Sequence, residues 1–140
     1  MKNNKSSGQS LVELALTLPM LLLLVIGVFD LGRGIYYYSA IHNAAREGAR
    51  YGSVNRCDKE GIKVRAREMA IGLDIEIEDE DISLHHVPET DPPQLDFIKV
   101  TVRYPFEIVT PLVGAFFGDS GAITLMSEAR QVIEIPLACP

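Results

Sequence analysis

The sequence predicts an α+β fold in which one long N-terminal helix, membrane-spanning in its first half, packs its outer half on a small antiparallel sheet. Three observations lead there. From Leu14 to Phe29 the chain carries no charged side chain. Polar residues then return at helical spacing as far as Tyr51, and from Ile75 onward apolar and polar residues alternate in the two-residue rhythm of strands. A chain of 140 residues has room for one small domain and an anchor.

The uncharged run from Leu14 to Phe29 makes a helix about 24 Å long, short of the roughly 20 residues that usually span a membrane. It lengthens through Ser10 to Val12 at one end or through Ile35 to Tyr38 at the other, taking in Glu13 or Asp30. A buried soluble helix is disfavoured because the rest of the chain is too small to cover it on every side. A cleaved secretory signal is disfavoured as well. The run exceeds the usual apolar region of roughly 7–15 residues, and Asp30-Leu31-Gly32-Arg33 follows in place of a small-residue cleavage site. Apolar or small residues continue through Ile35, Ala40, Ile41, Ala44, Ala45, Ala49 and Tyr51, so a single helix is expected from about Ser10 to about Tyr51, on the order of 60 Å. Pro19 predicts a kink near Leu16 to Pro19, tolerable in a membrane if neighbours or Thr17 satisfy the freed carbonyl. Ala40, Ala44 and Gly48, with Ala45, Ala49 and Gly52, form a strip of small residues. Such a strip admits a partner helix or the protein's own sheet, or reflects only that alanine suits helices.

Charge follows the same division. Residues 1–8 hold Lys2 and Lys5 and no acid, residues 9–50 balance three basic against three acidic side chains, and from residue 51 onward 8 basic side chains meet 16 acidic ones. This basic tip, neutral rod and acidic head argue against nucleic acid, whose phosphates need clustered positive charge. Tyr36, Tyr37 and Tyr38 have no basic groove beside them. The positive tip places the N-terminus in the cytoplasm and the head outside. Asp30 and Arg33, three apart, can pair and mark the outer boundary of the membrane layer.

A carboxylate at the rim of a membrane segment is costly and marks a pairing or functional site by default. Glu13 has two readings. It is an acid in the headgroup layer near the helix N-terminus, or it awaits a new amine created by cutting after Gly8. Lys2, Lys5, Gly8, Gln9-Ser10-Leu11-Val12 and Glu13, followed by the apolar run, resemble the class III signal of type IV pilins and pseudopilins. More narrowly, GQSLVE, Leu18-Pro19, Asp30-Leu31-Gly32-Arg33 and the run Asn43 to Tyr51 resemble the TadE-like family of tight-adherence (Flp) pilus assembly, convincingly over residues 8–52. Val100 to Phe106 with Thr110-Pro111-Leu112 is similar to that family's distal strand and turn.

The resemblance implies a pilin-like fold and a non-enzymatic minor pseudopilin or assembly protein of an Flp type IVb pilus or secretion system. It makes Gly8 the last leader residue, Gln9 the mature amino terminus and Glu13 the carboxylate that registers subunits. Its partners would be a prepilin peptidase acting on this chain, other pilins or pseudopilins, the inner-membrane assembly platform and membrane lipid. The chain then divides into a basic leader at 1–8, a long helix at 9–52 with its transmembrane segment at about 11–34, and an extracytoplasmic acidic α+β head at 53–140. The alternative is a permanent single-pass anchor, uncut, whose head binds a secretion or envelope partner.

Within the head, Asp58 to Ile71 has helical spacing with Gly72 as its stop. Ile75 and Ile77 against Glu76 and Glu78 predict a short strand, and Ile82, Leu84 and Val87 a second. Val87 to Gln94 is a proline-rich loop, Phe97 to Phe106 the central strand, Pro111 to Phe117 an apolar turn, and Ala122 to Ile135 a long final strand. Cys57 and Cys139 both fall in a compartment that permits a disulfide, which would close a long loop; two free or intermolecularly paired thiols are the other reading. His85 and His86 are adjacent and face opposite ways on a strand. The acidic run from Glu76 to Asp81 lacks the glycine and terminal glutamate of a calcium loop. No catalytic residue, cofactor site, metal site or small-molecule substrate is indicated.

Overall fold

The computed structural model describes residues 5–70, 75–87, 96–110 and 122–133. Helix α1 spans Lys5–Val54 and α2 Lys59–Met69; a 3-10 turn at Asp79–Asp81 leads into β1 (Ile82–Val87), followed by β2 (Phe97–Glu107) and β3 (Ala122–Val132). The strands form one antiparallel sheet in the order β1-β2-β3. Strand β2 is central, as its alternation predicts, and pairs with β1 from Ile82 opposite Val102 to Val87 opposite Phe97. The expected α+β architecture is the one observed.

Helix α1 starts and ends a few residues beyond the Ser10 to Tyr51 expected for it and runs through Pro19. Helix α2 begins where Asp58 caps it, its Oδ1 accepting the Gly61 N–H at 2.9 Å. The other oxygen of the same carboxylate accepts the Tyr51 hydroxyl at 3.0 Å, so one acid joins the end of α1 to the start of α2. That bond favours the protonated phenol and raises the Tyr51 pKa, with desolvation adding to it. The helix ends earlier than expected, at Met69, where the Ala70 N–H reaches the carbonyls of Ala66 and Arg67. The expected stop, Gly72, lies outside the described residues, as do the segments at 88–94 and 111–117.

One predicted strand is corrected. Residues 75–78 are irregular, although Ile77 is buried and Ile75 packs on the core. The alternation reports a half-buried extended segment, and burying one face does not require a ladder partner. Glu78 and Asp81 then cap the following turn reciprocally, and Arg67 of α2 pairs with Asp79.

The described chain divides into two compact units, Met1–Arg33 with Glu107–Ala122 and Gly34–Phe106 with Ile123–Pro140. The second holds the hydrophobic core. Ile41, Ala44, Ala45 and Ala49 of α1 meet Ile62, Ala66 and Ala70 of the α2 region, Ile82 of β1, and Ile98, Val100 and Val102 of β2. The strip of small residues therefore serves the protein's own sheet and α2. A Cβ at Gly48 would lie 3.1 Å from the Ala66 Cβ and 3.3 Å from Val100 Cγ1, and one at Gly52 would lie 2.6 Å from Ile98 Cδ1. An added side chain at Gly48 would press on α2 and β2, and one at Gly52 would require the Ile98 side chain to move. On the opposite side of the sheet, Glu128 of β3 bonds Lys99 of β2 at 2.7 Å and Arg130 at 2.8 Å. These partners, Lys99 first, hold its carboxyl below the ordinary value.

Candidate functional site

The sequence directs attention to α1. From Gly8 to Phe29 none of its residues is buried, and Leu11, Leu14, Leu16, Met20, Leu21, Leu24, Val28 and Phe29 all expose large apolar side chains. Around a helix this leaves no polar face. The segment is long and apolar enough to cross a membrane, with none of its most apolar stretch covered by the rest of the chain. Apart from the Ala15 carbonyl, which Pro19 leaves without its helical donor, the backbone hydrogen bonds of this segment close within the helix, as a hydrocarbon environment requires.

Gly8, Gln9 and Glu13 lie on the exposed helix near its start. Nothing lies within 4 Å of where a Gly8 Cβ would be, and the Glu13 carboxylate has no hydrogen bond or ion pair among the described residues. Four residues on, the Thr17 hydroxyl donates to the backbone carbonyl of Glu13 at 2.9 Å and to that of Leu14 at 3.3 Å. The carbonyl that Pro19 frees belongs to Ala15, four residues before it. The expectation that Thr17 satisfies that carbonyl is corrected: it braces the turn preceding the proline.

Asp30 and Arg33 do approach each other, at 3.8 Å, yet the stronger contacts come from elsewhere. Asp30 is only 8% exposed. Its Oδ2 accepts the Thr110 N–H at 2.7 Å and the Thr110 hydroxyl at 2.5 Å, and the Arg33 guanidinium donates to the Glu107 carbonyl at 3.4 Å. A two-residue charge pair read along the helix is thus part of a four-residue cluster with the end of β2. Thr110 stands 80 positions from Asp30. The only signal that could have found it is a threonine before a proline at the end of an apolar strand, which does not point to any one partner.

In the second unit, Tyr37 stacks on Tyr104 with ring centroids 5.2 Å apart and tilts against Phe106 at 5.6 Å. Nδ1 of His42 lies 3.1 Å from the Ser127 hydroxyl, with Tyr38 stacked on the ring. Neither contact is legible in sequence. A serine beside a histidine suggests a nucleophile and base, but the described contacts supply no third group to orient the ring. Cys57 is not a free thiol; Cys139, its proposed partner, lies outside the described residues. His86 faces Asp96 at 3.3 Å, and no group of three His, Cys, Asp or Glu side chains positioned to hold a metal is found among the described residues.

No curated protein and no solved structure matches the chain. The similarity that is found coincides with α1, its exposed and buried parts alike, and takes in Gly8, Glu13, Asp30 and Arg33: residues 8–50 match the family of TadE-like proteins.

Proposed function

We propose that the chain is a TadE-like minor pseudopilin or pilus-assembly protein of a tight-adherence (Flp type IVb) pilus or secretion system, without enzymatic activity. The observation that carries this reading is the change of surface along α1, apolar with no buried residue from Leu14 to Phe29 and packed into a folded head from Ala40 to Gly52. The match over residues 8–50 supports the family assignment. In this reading the apolar half stores the protein in the inner membrane, N-terminus in the cytoplasm and head outside, and packs against other subunits when they assemble. Moving it into water would cost roughly 25 cal/mol per Å² of apolar surface, so extraction must be coupled to burial against neighbours by an energy-driven partner. A prepilin peptidase would cut after Gly8, leaving Gln9 as the amino terminus. The new amine would stand within about one turn of Glu13 in the same or an adjacent molecule, and Glu13 has no partner among the described residues with which it would compete. The head is tied to the chain end by a Cys57–Cys139 disulfide.

A second reading, a permanent anchor whose head binds a secretion or envelope partner, has one observation in its favour. Helix α1 begins at Lys5, upstream of Gly8, so the Gly8-Gln9 bond sits inside a helix that a peptidase must first open. Intact-mass measurement of the membrane-extracted protein decides between them. A chain beginning at Gln9 is expected; a full-length chain retaining Lys2 and Lys5 supports the anchor and sinks processing. Glu13→Ala should then impair assembly more than membrane insertion, and unchanged pilus formation would count against a registering role.

A further inference from the structure

Glu13 and Asp30 close the two ends of one uncharged run, and the structure treats them differently. The run between them is about 24 Å long against a hydrocarbon layer of about 30 Å, so the membrane must thin around the helix or take in another turn or two at one end. Extension toward the N-terminus meets Glu13, exposed and without a partner among the described residues. Extension toward the C-terminus meets Asp30, covered and holding the N–H and hydroxyl of Thr110 on one oxygen and the Arg33 guanidinium near the other. A carboxylate whose bonds are already made costs far less to surround with hydrocarbon than a bare one. Arg33 lies beside it, already bonded to the Glu107 carbonyl, with an apolar stem that lets its charged end reach the interface. Past Asp30 the exposed large side chains of α1 are again apolar, Leu31 at 66% and Ile35 at 63%, and then come Tyr36 and Tyr38, both exposed.

We infer that Thr110 sheathes Asp30 so that the membrane-spanning segment continues beyond it, ending at an interfacial belt formed by Tyr36 and Tyr38. Lipid is the partner of this face. Leu14 to Ile35 is about 33 Å of helix, which matches the layer without thinning it, and the exposed tyrosines supply the amphipathic rings that settle at the headgroup level. Asp30 is then not the outer boundary marker its spacing from Arg33 suggests. It is a polar group immersed near the outer edge of the membrane, made tolerable by a threonine brought to it from the end of β2.

The inference rests on α1 spanning the membrane, and the test separates the two. A nitroxide-bearing amino acid is inserted by codon suppression at Leu21, Phe29, Leu31, Ile35 or Ser39 of the full chain, reconstituted in phosphatidylcholine and phosphatidylglycerol vesicles. Collision with oxygen is compared with collision with a water-soluble nickel chelate. Labels at 21, 29, 31 and 35 are expected to be shielded from nickel, with access rising at least threefold at 39. In Thr110→Val, access at 31 and 35 should rise toward the value at 39, and Asp30→Asn/Thr110→Val should restore shielding, because a neutral amide needs less covering. Thr110→Ser, which keeps both donors, should retain the original profile. Nickel access at 31 and 35 in the unaltered chain, with 21 and 29 shielded, would overturn the inference and leave the span standing. Access at 21 as well would overturn the span itself. An unchanged profile in Thr110→Val, or no restoration in the double variant, would overturn the role of Thr110.

Discussion

Between Gly8 and Phe29 helix α1 buries nothing, while between Ala40 and Gly52 it buries Ala40, Ile41, Ala44, Ala45, Gly48, Ala49 and Gly52. The residues differ in size as much as in burial. The exposed part is built from leucine, valine, methionine and phenylalanine, which suit a surrounding that has no fixed shape. The buried part is mostly alanine and glycine around the fully buried Ile41, and the small side chains let α2 and the sheet come close enough to interlock. Hydrophobicity alone does not separate the two; the share of small side chains does. Large apolar residues all round a helix ask for a solvent of hydrocarbon, and small ones on one side ask for a specific neighbour.

The sharpest way to break the comparison is to loosen one part and leave the other. Reduction of the proposed Cys57–Cys139 bond should cost the head about 4 kcal/mol and leave membrane partitioning of the N-terminal half unchanged. Thermal unfolding in detergent with and without reductant measures the first and flotation with vesicles the second. If both cysteines alkylate in denaturant without reductant, the pairing is wrong. Next in size are two identical substitutions on the same helix. Ile41→Ala, at a fully buried site, should destabilise the head by about 2–5 kcal/mol. Ile35→Ala, at an exposed one, should change it by less than about 0.5 kcal/mol. Equal effects in urea unfolding would mean that the division of α1 is not real.

How much of this was legible in sequence follows from the distance over which each feature acts. The exposed half of α1 shows because sixteen consecutive uncharged residues need no knowledge of the rest of the chain. The strands at 82–87, 97–107 and 122–132 show because alternation is local too. The small-residue strip was visible but not its partner, since a helix and a sheet place the same demand on alanine and glycine. The Ile75 to Glu78 alternation misled because a period of two reports burial of one face and not hydrogen bonding. Thr110 at Asp30 and Ser127 at His42 were invisible, each joining residues some eighty positions apart that carry no mutual signal.

Glycine offers a finer contrast between the two halves. At Gly48 an added Cβ meets the Ala66 Cβ, fixed on α2, at 3.1 Å, whereas nothing lies within 4 Å of a Cβ at Gly27. Gly48→Val should therefore cost about 1–3 kcal/mol through overpacking. Gly27→Ala, in the exposed apolar half with nothing near it, should leave the stability of the head unchanged to within about 0.5 kcal/mol. A lowered melting temperature for the first and an unchanged one for the second are expected; a neutral Gly48→Val would show that α2 is not held against α1.

The smallest expected effect lies on the outer face of the sheet, where charge and not volume joins β2 to β3. Lys99 and Arg130 favour the ionised form of Glu128, so its folded pKa lies below the ordinary 4.5. As pH falls the unfolded chain takes up this proton first. The stabilisation is therefore complete above about 4.5 and declines as pH drops through the lower folded value. Both ion pairs are partly exposed and screened by salt, so the change should be small and should shrink further at high ionic strength. Glu128→Gln should flatten the acid limb of a pH titration of melting temperature between neutrality and acid. A limb as steep as that of the unaltered protein would assign the acid sensitivity to other carboxylates. It would also leave the sheet, like the buried half of α1, held by the packing of Ile98, Val100 and Val102 with no measurable help from its charges.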